Sequence, residues 1–131
     1  MMIRTLTKEE AERYADSILG IGAEGWTRDH LLLDLPDKWT LSFAAWPGPM
    51  AYAILSRKPT GVHLHHFVVA PNEREHGVGA IMIKEAIRRA GDSISLKVFR
   101  NNNIAIRFYK SHSFEIIDER GEYISMIRHR R

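Results

Sequence analysis

Residues 69–80 read VAPNEREHGVGA, and the interpretation of the whole chain begins with them. An apolar strand pattern ends at Pro71, a short charged segment follows, and Gly77 and Gly79 stand where an apolar helical pattern begins. The first amides of a helix have no partners within the helix and carry a partial positive charge, so they attract anions. Glycine leaves room for a phosphate to approach closely, and Arg74 adds a full charge. The stretch is either a simple tight turn or a loop that approaches an anionic group.

Two other phosphate-binding loops fit this stretch poorly. A P-loop requires G-x-x-x-x-G-K-[ST], and the sequence contains no such run. A dinucleotide-binding fingerprint requires a third glycine at the position that Met82 occupies. The spacing R-x-x-G-x-G is weak evidence by itself, and its place between an apolar strand and an amphipathic helix strengthens it.

The composition bounds the class of protein. The 131 residues fit one domain, 1–131, and 44% apolar with 27% charged residues is ordinary for a soluble globular protein. The chain has no cysteine, which excludes disulfides and is compatible with a cytoplasmic location. Its first residues lack the apolar core of a signal peptide, and no apolar run approaches the roughly 20 residues that span a bilayer. We therefore expect a cytoplasmic protein with no membrane partner.

The chain is mildly basic, with a formal net charge of +3. Part of the excess lies in the C-terminal run RHRR at residues 128–131. Such a balance suits a nucleic acid, an acidic partner or a phosphate-bearing ligand. We find no DNA- or RNA-binding fingerprint, and we interpret the run as a solvated tail. Nucleic-acid binding through this tail remains an alternative function.

The periodicity of apolar residues predicts an α/β domain with a mixed sheet. Thr7 and Glu10 have capping-box spacing and mark the start of a first helix. From Gly77 the apolar residues recur at helical spacing, and Gly91 is a suitable stop. The predicted strands cover residues 2–5, 39–45, 50–57, 62–69, 93–98, 114–118 and 123–127; the predicted helices cover residues 7–19, 26–35, 77–90 and 102–112.

Two motifs in this order resemble the GNAT superfamily of acetyl-CoA-dependent N-acetyltransferases. Residues 67–79 follow the family pattern of an apolar strand, V-x-P and then [RQ]-x-x-G-x-[GA]. Asn102, Ala105 and Tyr109 follow its second pattern, N-x-x-A-x-x-x-Y-x-x-x-G-F, which ends here in Ser113 and Phe114. The resemblance covers residues 50–127 and implies a splayed, mixed sheet flanked by helices. Ser113 departs from the pattern, because the family usually has glycine where the helix turns into the next strand.

The resemblance also implies a binding site for acetyl-CoA, used as the acyl donor, with no metal. The diphosphate would lie against the loop amides, and the pantetheine arm would pair with the preceding strand in the wedge between splayed parallel strands. Asn102 would lie on the opposite side, near the thioester. The residues assigned to binding on this basis are Phe67, Val68, Val69, Arg74, Glu75, His76, Gly77, Val78, Gly79, Ala80 and Asn102.

The implied reaction is direct attack of an amine on the thioester. An alkyl amine has a pKa of about 10.4 and is mostly protonated at neutral pH, so a base must remove a proton. His63 and His65 are the candidate bases, acting through water, because histidine accepts a proton near neutral pH. Their H-x-H spacing resembles that of serotonin-type arylalkylamine N-acetyltransferases. The resemblance assigns Tyr109 as the general acid toward the sulfur, and the amide of Val69 can stabilise the oxyanion.

Strict strand alternation would place His63 and His65 on one face with Phe67 and Val69, and His66 on the other. The histidines are otherwise ordinary residues of a sheet face, and Tyr109 an aromatic residue packed on the inner side of a helix. A metal site formed by the three histidines is a poorer interpretation, because only two would share a face. Glu73, Glu75 and Asp118 are predicted surface charges.

The expected acceptor is a small-molecule amine, a protein N-terminus or a lysine, and the sequence does not separate an aromatic amine from a polyamine or an amino sugar. Candidate walls for its site are Trp26, Trp39, Trp46 and Tyr52, each of which suits the core equally well. A homodimer through the final hairpin is compatible with the sequence. The alternative function from another class is a module that binds acyl-CoA without turnover, as a sensor.

Overall fold

The computed structural model describes residues 1–22, 25–74 and 76–130 of the chain. Its strands are β1 (Met2–Thr5), β2 (Phe43–Trp46), β3 (Ala51–Lys58), β4 (Gly61–Val69), β5 (Ile94–Phe99), β6 (Glu115–Asp118) and β7 (Tyr123–Arg128). Its helices are α1 (Lys8–Arg13), α2 (Ala15–Gly20), α3 (Arg28–Leu32), α4 (Lys38–Leu41), α5 (Val78–Ala90) and α6 (Asn103–Ser111). None of the described helices is long and apolar enough to cross a membrane.

The strands form one mixed sheet in the order β1-β2-β3-β4-β5-β7-β6. β4 and β5 run parallel, whereas the other neighbouring strands are antiparallel. The parallel pairing joins Val62–Leu64 to Ile94–Leu96 and goes no further, although β4 continues to Val69 and β5 to Phe99. The two strands therefore diverge, and the predicted fold class, a mixed and splayed sheet flanked by helices, is confirmed.

Two apolar cores cover the two faces of this sheet. On one face, Ala51, Ala53 and Leu55 of β3 pack with buried residues of α5 and with Tyr109 of α6. On the other face, Tyr52 and Ile54 pack with buried residues of α1, α2 and α3. The period of two along β3 thus decides which helices each side chain meets. We call these the α5–α6 face and the α1–α3 face.

The predicted strand at residues 39–45 is wrong in its first half. Residues Lys38–Leu41 form α4, and β2 begins at Phe43. The reason is tertiary: Lys38 is fully buried, and its ammonium donates hydrogen bonds to three backbone carbonyls at the end of α3. Cations are favourable at this end of a helix, because its last carbonyls have no partners within the helix. The alternation of apolar residues does not reveal such a contact.

The N-terminal helices are shorter than the sequence predicts. The predicted helix at residues 7–19 is interrupted at Tyr14, which separates α1 from α2. Thr7 and Glu10 form the predicted capping box. The predicted helix at residues 26–35 is reduced to Arg28–Leu32, with Thr27 as its N-cap. The remaining strands and helices agree with the prediction within a residue or two.

Candidate active site

The gap between β4 and β5 opens into the cavity that holds the candidate catalytic residues. The cavity has a volume of about 700 Å³ and spans both faces of the sheet at the point where the strands separate. The cavity is lined by His63, His65 and Tyr109, which were predicted from separate motifs. Asn102 lies on its wall as well. A second depression of about 790 Å³ adjoins it and shares Phe99 and Asn102.

A β-bulge in β4 changes which side chains share a face. Ile54 pairs with His66 and Leu55 with Leu64, so His65 is one extra residue in β4. Before the bulge, Leu64 packs on the α5–α6 face, and beyond it Phe67 packs on that same face. The predicted alternation is therefore wrong: Phe67 and Val69 lie on the face opposite the histidines, and His66 lies on the same face as His63 and His65.

His63 and His65 lie side by side on the α1–α3 face of the sheet. Their ring centroids are 4.7 Å apart at 74°. His63 Nδ1 shares a hydrogen bond with Ser95 Oγ at 2.8 Å, and His65 Nε2 shares one with Ser56 Oγ at 2.6 Å. The second ring nitrogen of each histidine has no hydrogen-bond partner among the described residues. Both rings thus have one nitrogen held by a serine.

Burial keeps these histidines neutral. It lowers the pKa of His63 to about 4, with smaller contributions from Lys58 and Lys97. It also lowers the pKa of His65 to about 4, helped by the neighbouring His63. The pKa of His66 falls to about 4 for the same reason, and its ring is stacked between Trp26 and Tyr52. At neutral pH all three imidazoles are therefore unprotonated, and the same burial makes them weaker bases than a fully solvated histidine.

Tyr109 reaches the cavity from the α5–α6 face. It lies on α6, is 9% exposed and contacts Phe67 with ring centroids 6.2 Å apart. Burial raises the pKa of its phenol to about 12, so the hydroxyl keeps its proton at neutral pH. Its hydroxyl has no hydrogen-bond partner among the described residues. Tyr109 and the histidines therefore stand on opposite sides of the gap.

The end of α6 fixes the position of Tyr109. The N–H of Ser113 donates to the carbonyl of Lys110, and the N–H of Phe114 donates to the carbonyl of Tyr109, both at 3.1 Å. This is a Schellman motif, in which the residue after the helix adopts the left-handed conformation. Ser113 adopts it, with φ of 72°. The departure from the family pattern thus keeps the geometry that glycine would provide, and Phe114 packs against Tyr109.

The backbone of β4 presents polar groups to the gap. The N–H of Ala70 donates to the carbonyl of Met50 at 2.8 Å. Hydrogen-bonded pairs alternate along an antiparallel ladder, so the N–H and C=O groups of Phe67 and Val69 point away from β3 and toward β5. β5 does not pair with β4 at these residues, so their N–H and C=O groups face the gap. The carbonyl of Val69 accepts a hydrogen bond from Arg74 Nε at 3.1 Å.

The loop after β4 places free amides at the start of α5. A 3-10 turn at Pro71–Glu73 leads to Gly77, which is the N-cap with φ of 79° and no side-chain cap. The first hydrogen bond of α5 runs from the N–H of Ile81 to the carbonyl of Gly77. The amides of Val78, Gly79 and Ala80 therefore lack partners within the helix, and Arg74 and His76 are exposed beside them. Glu75 lies outside the described residues.

The two glycines differ in backbone conformation and in surroundings. Gly77 adopts a left-handed backbone, and a Cβ there would meet open space. Gly79 has a helical backbone, and a Cβ there would stand 3.4 Å from the ring of Phe108. A Cβ at Gly79 would therefore make an ordinary van der Waals contact with Phe108 of α6. The sequence predicted that both glycines leave room for a phosphate.

The other residues named from the sequence divide between the site and the core. Asn102 caps α6, and its Oδ1 accepts the backbone N–H of Ala105 at 3.1 Å, which explains an asparagine at the start of the helix. Trp26 lines the cavity, whereas Trp46 and Tyr52 belong to the core and Trp39 packs at its edge. Asp118 is half-buried and paired with Arg120, and Glu73 is half-buried in the loop after β4.

Sequence reasoning missed the two serines that hold the histidines. Ser56 on β3 and Ser95 on β5 flank His63 in register. Ser95 stands between the apolar residues Ile94 and Leu96, an alternation that marks the polar side of β5, whereas Ser56 is followed by Arg57 and carries no such signal. No signal in the sequence reveals the bulge at His65. Among the described residues, no group of three or more His, Cys, Asp or Glu side chains is arranged to hold a metal ion.

The chain belongs to the acetyltransferase (GNAT) family, whose family model matches residues 6–114. The match begins well before residue 50, where the motif resemblance starts. A curated relative, the probable N-acetyltransferase san of Drosophila melanogaster, is 41% identical over 59 residues. That alignment covers 41% of this chain and 32% of the relative, so the chain spans about a third of that protein's length.

Solved structures share the fold over almost the whole chain. The ribosomal-protein-S18-alanine N-acetyltransferase of Escherichia coli superposes with a TM-score of 0.83 at 19% identity, covering 98% of this chain and 93% of that one. The PaiA N-acetyltransferase of Thermoplasma acidophilum, solved in complex with coenzyme A, superposes with a TM-score of 0.76 at 16% identity, covering 98% of both chains.

Proposed function

We propose that the protein is an acetyl-CoA-dependent N-acetyltransferase that moves an acetyl group to a primary amine by direct attack. The observation that carries the proposal is the gap between β4 and β5, with free amides at one end and titratable side chains on both sides. Membership of the acetyltransferase family supports the same reaction.

The donor site consists mainly of backbone groups. The free amides of residues 78–80 and the exposed Arg74 suit the diphosphate of coenzyme A, because a helix start binds anions. The outward N–H and C=O groups of Phe67 suit the amides of the pantetheine arm, which would extend the sheet as an added strand, whereas the carbonyl of Val69 already accepts from Arg74 Nε. The N–H of Val69 would then donate to the oxygen of the reacting carbonyl.

The two proton transfers would be carried out by side chains on opposite faces of the sheet. His63 and His65 are neutral and would accept the proton of the acceptor amine, directly or through water. Tyr109 keeps its proton and would donate it toward the leaving sulfur. In this arrangement the acceptor enters from the α1–α3 face and the acid acts from the α5–α6 face. The two groups would act on opposite ends of the same reaction.

The variant Tyr109→Phe tests the proposal against a non-catalytic acyl-CoA-binding module. We expect calorimetry to show coenzyme A binding by both wild type and variant, because the amides that would hold the diphosphate are unchanged. We expect amine-dependent release of free thiol from acetyl-CoA to fall by about 10²-fold or more in the variant. The control is Tyr14→Phe, which removes the hydroxyl of a tyrosine packed on Trp46, outside the cavity.

Two results would contradict the proposal. If wild type fails to bind coenzyme A, the assignment of the gap as the donor site is wrong. If it binds coenzyme A but releases no more thiol with amines than without them, the protein is a binding module. Equal losses in Tyr109→Phe and Tyr14→Phe would remove Tyr109 from the reaction.

A further inference from the structure

We propose that the acceptor is a primary amine attached to an apolar body, preferably an aromatic one, and that Leu33, Phe99 and Tyr123 select it. This inference rests on the proposed function and concerns the acceptor side of the same cavity. An apolar amine and a peptide with a large apolar first residue share this chemistry. Polyamines and amino sugars lack it.

The first argument is the clustering of exposed apolar side chains at the mouth of the cavity. Leu33 is 57% exposed, Phe99 56% and Tyr123 45%, and all three line the cavity. Single exposed apolar residues are normal on a protein surface, whereas a cluster at a cavity indicates a binding site. Phe99 and Tyr123 are paired across β5 and β7, and their rings stack at 4.6 Å. Trp26 and Leu35 continue this apolar wall inward.

The second argument is charge. None of the described residues that line the cavity is Asp or Glu, and Glu24 lies outside the described residues. Lys97 lines the cavity, and the three histidines are neutral at pH 7. A second ammonium group on a polyamine would lose water without gaining a counter-charge, and Lys97 would repel it. An amine with an apolar body places no second charge there.

The experiment measures kcat/KM with acetyl-CoA for 2-phenylethylamine, hexylamine, spermidine and glucosamine. Two short peptides, one beginning with Phe and one with Asp, distinguish a peptide N-terminus from a small amine as the source of the apolar group. Calorimetry on the protein loaded with coenzyme A gives a Kd for each amine independently of turnover. We expect kcat/KM for the apolar amines or the Phe peptide to be at least about tenfold higher than for spermidine and glucosamine. We expect their Kd to be lower by at least about the same factor.

The variant Leu33→Glu places a carboxylate in the wall. We expect the variant to lower kcat/KM for the apolar amines and to raise it for spermidine. The ratio of the two kcat/KM values should therefore fall by about tenfold or more. The matched control is Ile117→Glu, which introduces the same charge at another residue that is 57% exposed but lies on β6, away from the cavity. We expect this control to leave the preference unchanged.

Coenzyme A binding followed by an equal or greater preference for spermidine, glucosamine or the Asp peptide overturns this inference and leaves the proposed function standing. Equal preferences in Leu33→Glu and Ile117→Glu overturn the role of the wall. Coenzyme A binding without acetylation of any tested amine overturns the inference as well. Loss of coenzyme A binding in wild type contradicts the proposed function and, with it, the acceptor site.

Discussion

His65 shows how one residue changes the chemistry that a strand offers. As the extra residue of a bulge, it stands beside His63 while the backbone beyond it reverses the alternation of side chains. The imidazoles consequently lie on the α1–α3 face, and Phe67 lies on the α5–α6 face with Tyr109. A regular strand would have given every residue beyond Leu64 the opposite face.

The variant His65→Gln tests the proposed base. Glutamine keeps hydrogen-bonding capacity toward Ser56 but cannot take up a proton. We expect kcat/KM for the amine to fall by about 10²-fold at pH 7 and this loss to become smaller near pH 9, where more of the free acceptor is neutral amine. His129→Gln is the control, because His129 is exposed and paired with Glu115. A loss that is the same at both pH values would assign His65 a structural role only.

At the scale of elements, the end of α6 combines backbone strain at one residue with a well-defined change in chain direction. Ser113 occupies the left-handed position of a Schellman motif, where a residue with a Cβ is disfavoured by about 1–2 kcal/mol. The two hydrogen bonds of the motif and the contact of Phe114 with Tyr109 hold it there. The end of α6 thus sets both the direction of β6 and the position of Tyr109, the proposed acid.

The variant Ser113→Gly should therefore be more stable than wild type. We expect the free energy of unfolding, measured by urea denaturation, to rise by about 1 kcal/mol. The same substitution two residues earlier, Ser111→Gly, lies within α6 and should lower it by about 0.5–1 kcal/mol. A decrease in both variants would show that the conformation of Ser113 is not strained in solution. Coenzyme A affinity should be unchanged in Ser113→Gly.

At the scale of the whole molecule, three half-buried neutral histidines link stability to pH. The pKa values of His63, His65 and His66 are about 4 in the folded protein, and that of an unfolded histidine is about 6.5. Between these values the unfolded chain binds protons that the folded chain does not. The stabilisation is thus complete above pH 6.5 and is lost as pH falls toward 4.

We expect urea denaturation to show a free energy of unfolding that decreases from pH 7 to pH 5. Each histidine contributes up to about 1.4 kcal/mol per pH unit, and less in practice because the rings are partly solvated. The slope should be shallower in His66→Gln and unchanged in His129→Gln. Asp118, whose pKa is lowered to about 2 by Arg120, titrates below this window. A flat profile from pH 7 to pH 5 would contradict the assignment of neutral, buried rings.

The sequence by itself determined the features that depend on neighbours along the chain. Thr7 and Glu10 cap α1, Gly77 and Gly91 bound α5, and Asn102 caps α6, since each contact joins residues within a turn or lies at a helix end. The apolar period of β3 and α5 follows from burial of one face, and hence the fold class was predictable. The two motifs located the loop and Tyr109 because their spacing is local.

Only the tertiary structure decided what depends on distant contacts. Lys38 stabilises α4 by donating to carbonyls of a preceding segment, which a strand-like apolar pattern concealed. The bulge at His65 arises from the register of β4 against β3, and register is a property of two strands together. The gap opens because β4 and β5 stop pairing after Leu64, and that divergence brings the histidines and Tyr109 to one cavity. The spacing of residues along the sequence does not give the distances between these side chains, because packing across the sheet determines those distances.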